Sequence, residues 1–263
     1  MLLIPKLSIL LVFGWLFCMG CSASGISNKD MVHSQCIKPW KLDFKQSHLW
    51  VHKDLPGITQ KSRYTFQKMG NEWILECKTC DSASLLQFQK PFSPYEYPIL
   101  AWQWKVTKVY PKGNGLSKEG DDFPLRLVVL FPYNPKWASS AMQWKAKVFY
   151  MMHGYYPPLW SLHYVWANRE TTPSYFKSPY SSNVGIIALQ KGKKNLGLWI
   201  QEKISILGDF QRSFGRKLPK GAKAYVAIMA DSDNTHEKGI SYVKGILLIK
   251  NTVKKGKIDA QKN

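Results

Sequence analysis

The chain has 263 residues, 45% of them hydrophobic and 21% charged. That composition supports a packed core and excludes wholesale disorder, and the length suits one large domain or two small ones. Lys and Arg number 37 against 17 Asp and Glu, a net charge of +20. A basic chain calls for an anionic partner, but no helix-turn-helix, zinc-finger or ribonucleoprotein-type motif is present, which argues against nucleic acid.

In chain order, Lys6 precedes an uncharged apolar run over residues 7–19. A membrane span needs about 20 such residues, so the shorter run reads as the core of a secretory signal. It ends in Cys18-Met19-Gly20-Cys21-Ser22, which resembles a bacterial lipobox, although Cys18 stands where Leu is usual. The expectation is removal of residues 1–20, acylation of Cys21 and, from Ser22, delivery to the outer membrane. The alternative is an ordinary signal cut near Ser22-Ala23-Ser24, giving a free periplasmic protein. Export turns the search for polyanions towards lipid headgroups, lipopolysaccharide and acidic glycans.

Residues 21–41 read as a tether, and strands dominate from residue 42. Segments 63–67 and 72–77 flank Met69-Gly70-Asn71 and form a hairpin. Segment 84–88 follows. Leu100, Trp102, Trp104 and Val106 then alternate with Ala101, Gln103 and Lys105 at the strand period of two. Segment 123–131 is apolar on both faces, as a central strand would be, with Arg126 on the second face. Further strands are expected at 160–167, 184–190, 198–205, 222–231 and 241–249. Two helices interrupt them: 139–152, opened by Ser139 or Ser140 as N-cap, and a short one at 208–214 closed by Gly215. Lys145 and Lys147 of the first, among Trp, Phe and Met, would also suit a helix lying on a bilayer. The tail 251–263 is basic and has no apolar period. About ten strands with little helix between them predict a single all-β domain over 42–250, a jelly-roll-like antiparallel β-sandwich with a short helical insertion.

Cys77-Lys78-Thr79-Cys80 lacks the strand-then-helix setting of a redox motif and has no second pair at zinc spacing. On one straight strand these cysteines would be about 10 Å apart, too far to bridge. The pairing of Cys36, Cys77 and Cys80 therefore stays open.

The scarce acids cluster at strand ends, as Asp121-Asp122 and as Asp231-Ser232-Asp233-Asn234. Arg126 on an apolar strand needs a carboxylate, and Asp122, Asp231 and Glu202 are the candidates. The oxygen-rich run from Asp231 suits calcium, but it lacks the sixth-position Gly and twelfth-position Glu of an EF-hand; an Asx-turn is the alternative. His163 alternates with Tyr164 and Trp166, and no Gly-x-Ser-x-Gly element is present.

Taken together, Ser82-Ala83-Ser84, Leu100-Ala101-Trp102-Gln103-Trp104, Gly120-Asp121-Asp122-Phe123-Pro124-Leu125-Arg126, Tyr164-Val165-Trp166-Ala167, Gly208-Asp209-Phe210 and Asp231-Ser232-Asp233-Asn234-Thr235 resemble the bacterial domain of unknown function family 3047. The order and spacing match over roughly residues 42–250; the segment 137–158 and the two cysteines depart from the pattern. The resemblance implies a jelly-roll-like fold and no established activity. The likeness of that fold to carbohydrate-binding modules is analogy.

The leading expectation is non-enzymatic recognition of a cell-envelope saccharide or related polar ligand, with an envelope glycan or other polyanion as the partner. Trp102, Trp104, Tyr164 and Trp166 would supply flat faces for sugar rings. Asp122, Arg126, Asp231 and Asp233 would supply hydrogen bonds. No cofactor is required, with calcium at the Asp231 loop as the exception. Two other readings stay open: a polysaccharide hydrolase or lyase using paired carboxylates, and a structural envelope lipoprotein without a small ligand.

Overall fold

The computed structural model describes residues 38–250. The expected signal, Cys21, Cys36, most of the tether and the basic tail lie outside the described residues. In chain order the strands are β1 (Trp40–Lys41), β2 (Trp50–Lys53), β3 (Arg63–Met69), β4 (Glu72–Cys80), β5 (Ala83–Phe88), β6 (Ile99–Val106), β7 (Arg126–Phe131), β8 (Trp160–Ala167), β9 (Tyr175–Ser178), β10 (Ser181–Lys191), β11 (Ile200–Ser205), β12 (Tyr225–Asp231) and β13 (Lys238–Ile249), with α1 (Ser140–His153) and α2 (Ile206–Phe214). The result is a two-sheet, all-β sandwich of the jelly-roll-like class. One sheet runs β11-β6-β13-β4-β3, with β1 also on β13; the other runs β2-β5-β12-β7-β8-β10-β9. The short strands β1, β2 and β9 carry too few residues to show a period and go beyond the expected set.

Each pairing is antiparallel except that of β8 with β10, which is parallel. The chain leaves β8, adds β9 at the sheet edge, and returns along β10 between the two. The β3–β4 hairpin turns where expected, at Gly70, whose φ of 59° lies in the left-handed region that glycine enters without steric cost.

Between the sheets, Leu100, Trp102, Trp104 and Val106 of β6 face Leu162, Tyr164 and Trp166 of β8, and all are buried in one cluster. Trp102 and Trp104 meet edge to face at 5.4 Å, Trp102 meets Tyr164 at 5.7 Å, and Trp104 meets Trp166 at 5.9 Å. Tyr164 and Trp166 were expected to face a ligand. They are core residues instead, because aromatic surface this large gains more by closing the space between two sheets than by facing water. The Tyr164 hydroxyl donates to Asp209 at 3.2 Å and the Trp166 indole to the Gly192 carbonyl at 3.2 Å.

The outer face of the seven-stranded sheet is also partly covered. Phe123, Val165, Ala167, Ile186 and Ala188 form one patch; Ala83, Val128, Ala227 and Met229 form another beneath Leu55 and Ile58. This double burial explains why β7 reads as apolar on both faces. Strand β7 starts later than expected. Pro124 has no N–H for the ladder, and Phe123 before it packs on the outer patch instead of in line with Leu125 and Leu127.

Helix α1 is capped by Ser139, whose hydroxyl accepts from the Met142 N–H, and ends at Gly154. Its Met142 and Ala146 pack inward, while Trp144, Met151 and Met152 are 67, 83 and 70% exposed. Helix α2 is capped by Ser205, which starts it two residues before the expected position, and closes at Gly215. Its Phe210 packs against Phe131 and Trp160. No helix among the described residues is long and apolar enough to cross a membrane. Cys77 and Cys80 both sit on β4, one buried and one exposed, and among the described residues both are free. Their offset of three residues puts them on opposite faces.

Candidate functional site

Three features stand out on the sandwich: a buried acid–arginine cluster, an aromatic groove and a cationic depression.

The cluster is assembled by the pairing of β7 with β12. Met229 lies opposite Arg126, so Asp231, two residues on, reaches the loop that leads into β7. Its Oδ1 accepts from the Phe123 N–H at 3.2 Å and from Arg126 Nε at 2.9 Å. A second guanidinium nitrogen of Arg126 donates to Asp231 Oδ2. The guanidinium also donates to the Asp121 carbonyl at 2.6 Å and lies 3.4 Å from its carboxylate. Of the candidate partners, Asp231 is confirmed and Glu202 is not. Glu202 stands on β11 of the other sheet, accepting from Gln190 at 2.8 Å. Asp122 lies beside the guanidinium without a salt bridge to it. Its Oδ2 accepts the Thr235 N–H at 2.6 Å, and its backbone carbonyl accepts from Asn168 Nδ2 at 2.6 Å. Asn168 Oδ1 in turn accepts the Tyr110 N–H at 2.8 Å. Gly113 backs that amide so closely that a Cβ there would overlap Asn168.

Oxygens from Asp122, Asp231 and Asp233 all lie within 4.8 Å of one another. Asp122, Arg126 and Asp231 are buried; only Asp233 of this set keeps appreciable surface. Burial pushes the Asp231 carboxyl up to about 8, against the opposing pull of Arg126 and with help from the Asp122 and Asp121 charges. Burial likewise raises Asp121 and Asp233. Side chains sealed this way cannot reach a polysaccharide. That corrects the expectation that Asp122, Arg126 and Asp231 contact a sugar, and it removes them as paired carboxylates for glycoside hydrolysis, which must flank the scissile bond. Their geometry suits a structural ion pair and a small ion.

The groove, of about 620 Å³, lies between α1 and the turn joining β9 to β10. Met142, Lys145 and Phe149 of α1 form one wall with Tyr133; Tyr180, Ser181, Ser182 and Asn183 form the other, and Ser161 of β8 lies between. The Ser161 hydroxyl shares a 3.0 Å hydrogen bond with His163 Nε2, while His163 Nδ1 has no partner. Burial, then the Arg126 charge, depresses the His163 imidazole to about 3, so the ring is neutral and one nitrogen is free to bond. Tyr133 stacks on Tyr156 at 4.6 Å, and Tyr156 on Tyr150 at 4.7 Å. The Tyr180 hydroxyl donates to the Lys118 carbonyl at 3.0 Å and accepts from Asn234 at 3.1 Å. The groove wall is thereby tied to the loop carrying Asp233. Residue patterning alone did not single out Tyr133, Tyr180, Ser161 or Asn183. The available signal was the absence of any Asp or Glu from residue 123 to 169 in a stretch rich in Tyr and Trp.

A shallower depression of about 540 Å³ is lined by Lys61, Arg63, Lys78, Lys108 and Lys238 with Thr79 and Ser82. Asp54, Glu76 and Glu237 pair with three of its lysines at 2.7, 2.8 and 3.3 Å.

A family model described as "Protein of unknown function (DUF3047)" matches residues 48–247. No curated protein matches the chain. Among solved structures, similarity extends to the family 11 carbohydrate-binding module of the cellulosomal cellulase Lic26A-Cel5E of Clostridium thermocellum, with TM-score 0.39 and 11% identity, covering 83% of this chain and 98% of that one. The enzymatically active domain of bacteriophage CBA120 tailspike protein 4 follows with TM-score 0.37 and 9% identity, over 78% of this chain and 20% of that one. The carbohydrate-binding module TmCBM27, whose structure concerns mannan recognition, has TM-score 0.33 and 12% identity, over 81% and 96%. At TM-scores this low the likeness carries no argument about ligand or activity.

Proposed function

The chain belongs to the DUF3047 family, and from that premise we propose that its sandwich binds a cell-envelope saccharide in the groove beside α1. The observation that carries this reading is the chemistry of the groove walls. Sugars present apolar C–H faces and hydroxyl edges. Phe149, Tyr133 and Tyr180 offer rings for the first; Ser161, Ser181, Ser182 and Asn183 offer hydroxyls and an amide for the second. The volume of about 620 Å³ falls in the range of small-ligand sites, roughly 300–1,000 Å³. Lys145 on the wall and the +20 net charge favour a saccharide bearing carboxylate or phosphate groups. Recognition by such a groove is binding without catalysis.

The proposed setting is the envelope, reached through the signal at residues 1–20 and held by an acyl chain on Cys21. The outward Trp144, Met151 and Met152, flanked by Lys145 and Lys147, suit an anionic surface. Isothermal titration of the protein with purified acidic and neutral envelope oligosaccharides tests the reading. Acidic oligosaccharides should bind, and Lys145→Glu and Asn183→Ala should each weaken binding about tenfold or more, the loss of a charge-assisted or amide hydrogen bond of about 1.5 kcal/mol. If no saccharide binds at millimolar concentration, or if both variants bind as the parent does, the groove is not the site. Cys21→Ser should release the protein from salt-washed membranes; retention would refute the anchor.

A further inference from the structure

Four carboxylates converge where the β6–β7 and β12–β13 loops meet: Asp121, Asp122, Asp231 and Asp233. One guanidinium, Arg126, answers them, and it bonds only Asp121 and Asp231. No salt bridge among the described residues reaches Asp122 or Asp233. Lys118, the nearby ammonium, lies over the Tyr180 ring at 5.6 Å instead. Four formal negative charges against one positive leave an excess that Arg126 does not cancel.

The second observation is independent of that count. Asp122 is 0% exposed, and its Oδ1 has no hydrogen-bond partner among the described residues. Buried polar atoms are nearly always bonded, and an orphan needs an explanation. This orphan is on a carboxylate that lies inside the three-acid cluster. Thr235, whose N–H holds the other Asp122 oxygen at 2.6 Å, has a buried hydroxyl that also lacks a partner.

The spacing fits a cation held through oxygen. Calcium binds oxygen at about 2.3–2.6 Å, so oxygens on opposite sides of one ion stand up to about 5 Å apart. The oxygens of Asp122, Asp231 and Asp233 lie within 4.8 Å of one another. Magnesium demands near-ideal octahedral geometry and keeps several waters, whereas calcium accepts an irregular set of carboxylate and hydroxyl oxygens such as this one. No nitrogen or sulfur donor belongs to the cluster, which disfavours zinc and copper. Asp233, partly at the surface, offers the way in.

We propose that Asp122, Asp231 and Asp233 form a calcium-class cation site that pins the β12–β13 loop to the loop before β7, with the Thr235 hydroxyl turned to the same ion. The ligands come from two loops brought together by the pairing of β7 with β12, which is why no contiguous calcium-loop motif is needed. The site is separate from the groove, and its existence does not depend on what the groove binds.

The test uses the full chain stripped with EDTA and returned to calcium-free buffer. Titration with calcium chloride should show one saturable site, and the melting temperature should rise with calcium as RT ln(1 + [Ca²⁺]/Kd) requires. Asp233→Asn, at the most accessible ligand, should fold and lose at least tenfold in affinity. Asp54→Asn, an exposed acid outside the cluster, should bind as the parent does. Lack of saturable uptake with an unchanged melt would overturn the proposal, as would an Asp233→Asn variant that binds calcium normally. Magnesium binding as tightly as calcium would overturn the calcium assignment.

Discussion

Replacing Arg126 by Met tests the electrostatic logic of the cluster most directly. The side chain is buried and donates to both Asp231 oxygens and to the Asp121 carbonyl, with its guanidinium 4.5 Å from the centre of the Phe123 ring. Methionine keeps most of the volume and removes the charge. Asp231 and Asp121 are then left as buried carboxylates without a counter-charge, and truncating one side of a buried pair costs about 3–5 kcal/mol. For a domain of this size each kcal/mol lowers the melting temperature by about 2–4 °C, so the drop should be roughly 6–20 °C. Urea unfolding followed by the fluorescence of the buried tryptophans would measure it, in EDTA so that bound cations play no part. The penalty carries a pH signature. The Asp231 carboxyl already titrates near 8 with Arg126 present, and without the guanidinium its ionised form is less favourable still. The parent carboxyl ionises against Arg126 only as pH passes about 8, and the variant's cannot follow, so the deficit of Arg126→Met should widen from pH 7 to pH 9. Adding Asp231→Asn should recover part of the loss at pH 8. A variant within about 0.5 kcal/mol of the parent at pH 8, or a deficit that does not widen from pH 7 to pH 9, would refute the reasoning.

Three further outcomes follow from the packing. His163 holds its imidazole at about 3 against an ordinary 6.5. The folded state therefore takes up its proton later than the unfolded one, and stability is lost as pH falls from about 6.5 to 3. The full shift would be worth about 5 kcal/mol, and partial solvent contact of the ring brings it to roughly half. His163→Gln, which cannot titrate, should show an acid limb shallower by that amount in urea melts, and parallel limbs would contradict the assignment. In the native protein a thiol reagent should label Cys80 rapidly and Cys77 only on unfolding, because burial seals Cys77 and pushes its thiol up; peptide mapping that found Cys77 labelled first would contradict the strand alternation. Trp166→Ala should cost about 3–5 kcal/mol as a core truncation, and a near-neutral melt would mean the ring is not in the core.

Much of the architecture was legible in local pattern. The period-two run at Leu100–Val106, the Met69-Gly70-Asn71 turn, the serine cap of α1 and the Gly215 close of α2 act over a few residues, so each segment reports its own shape. Tertiary structure decided the rest. Alternation places Trp102 and Trp104 on one face and Tyr164 and Trp166 on one face, but periodicity separates faces without saying which is interior. Only the stacking of the two sheets sets all four rings in the core. The same holds for the choice among Arg126's partners. Glu202 and Asp231 were equivalent as charges in a string; sheet order sends one to the far sheet and brings the other, 105 residues away, onto the guanidinium. The groove, built from α1, the end of β8 and the β9–β10 turn, depends on the parallel return of β10 beside β8. A pairing between distant segments leaves no mark in either segment alone, because the hydrogen bonds and buried area that stabilise it exist only once both are in place.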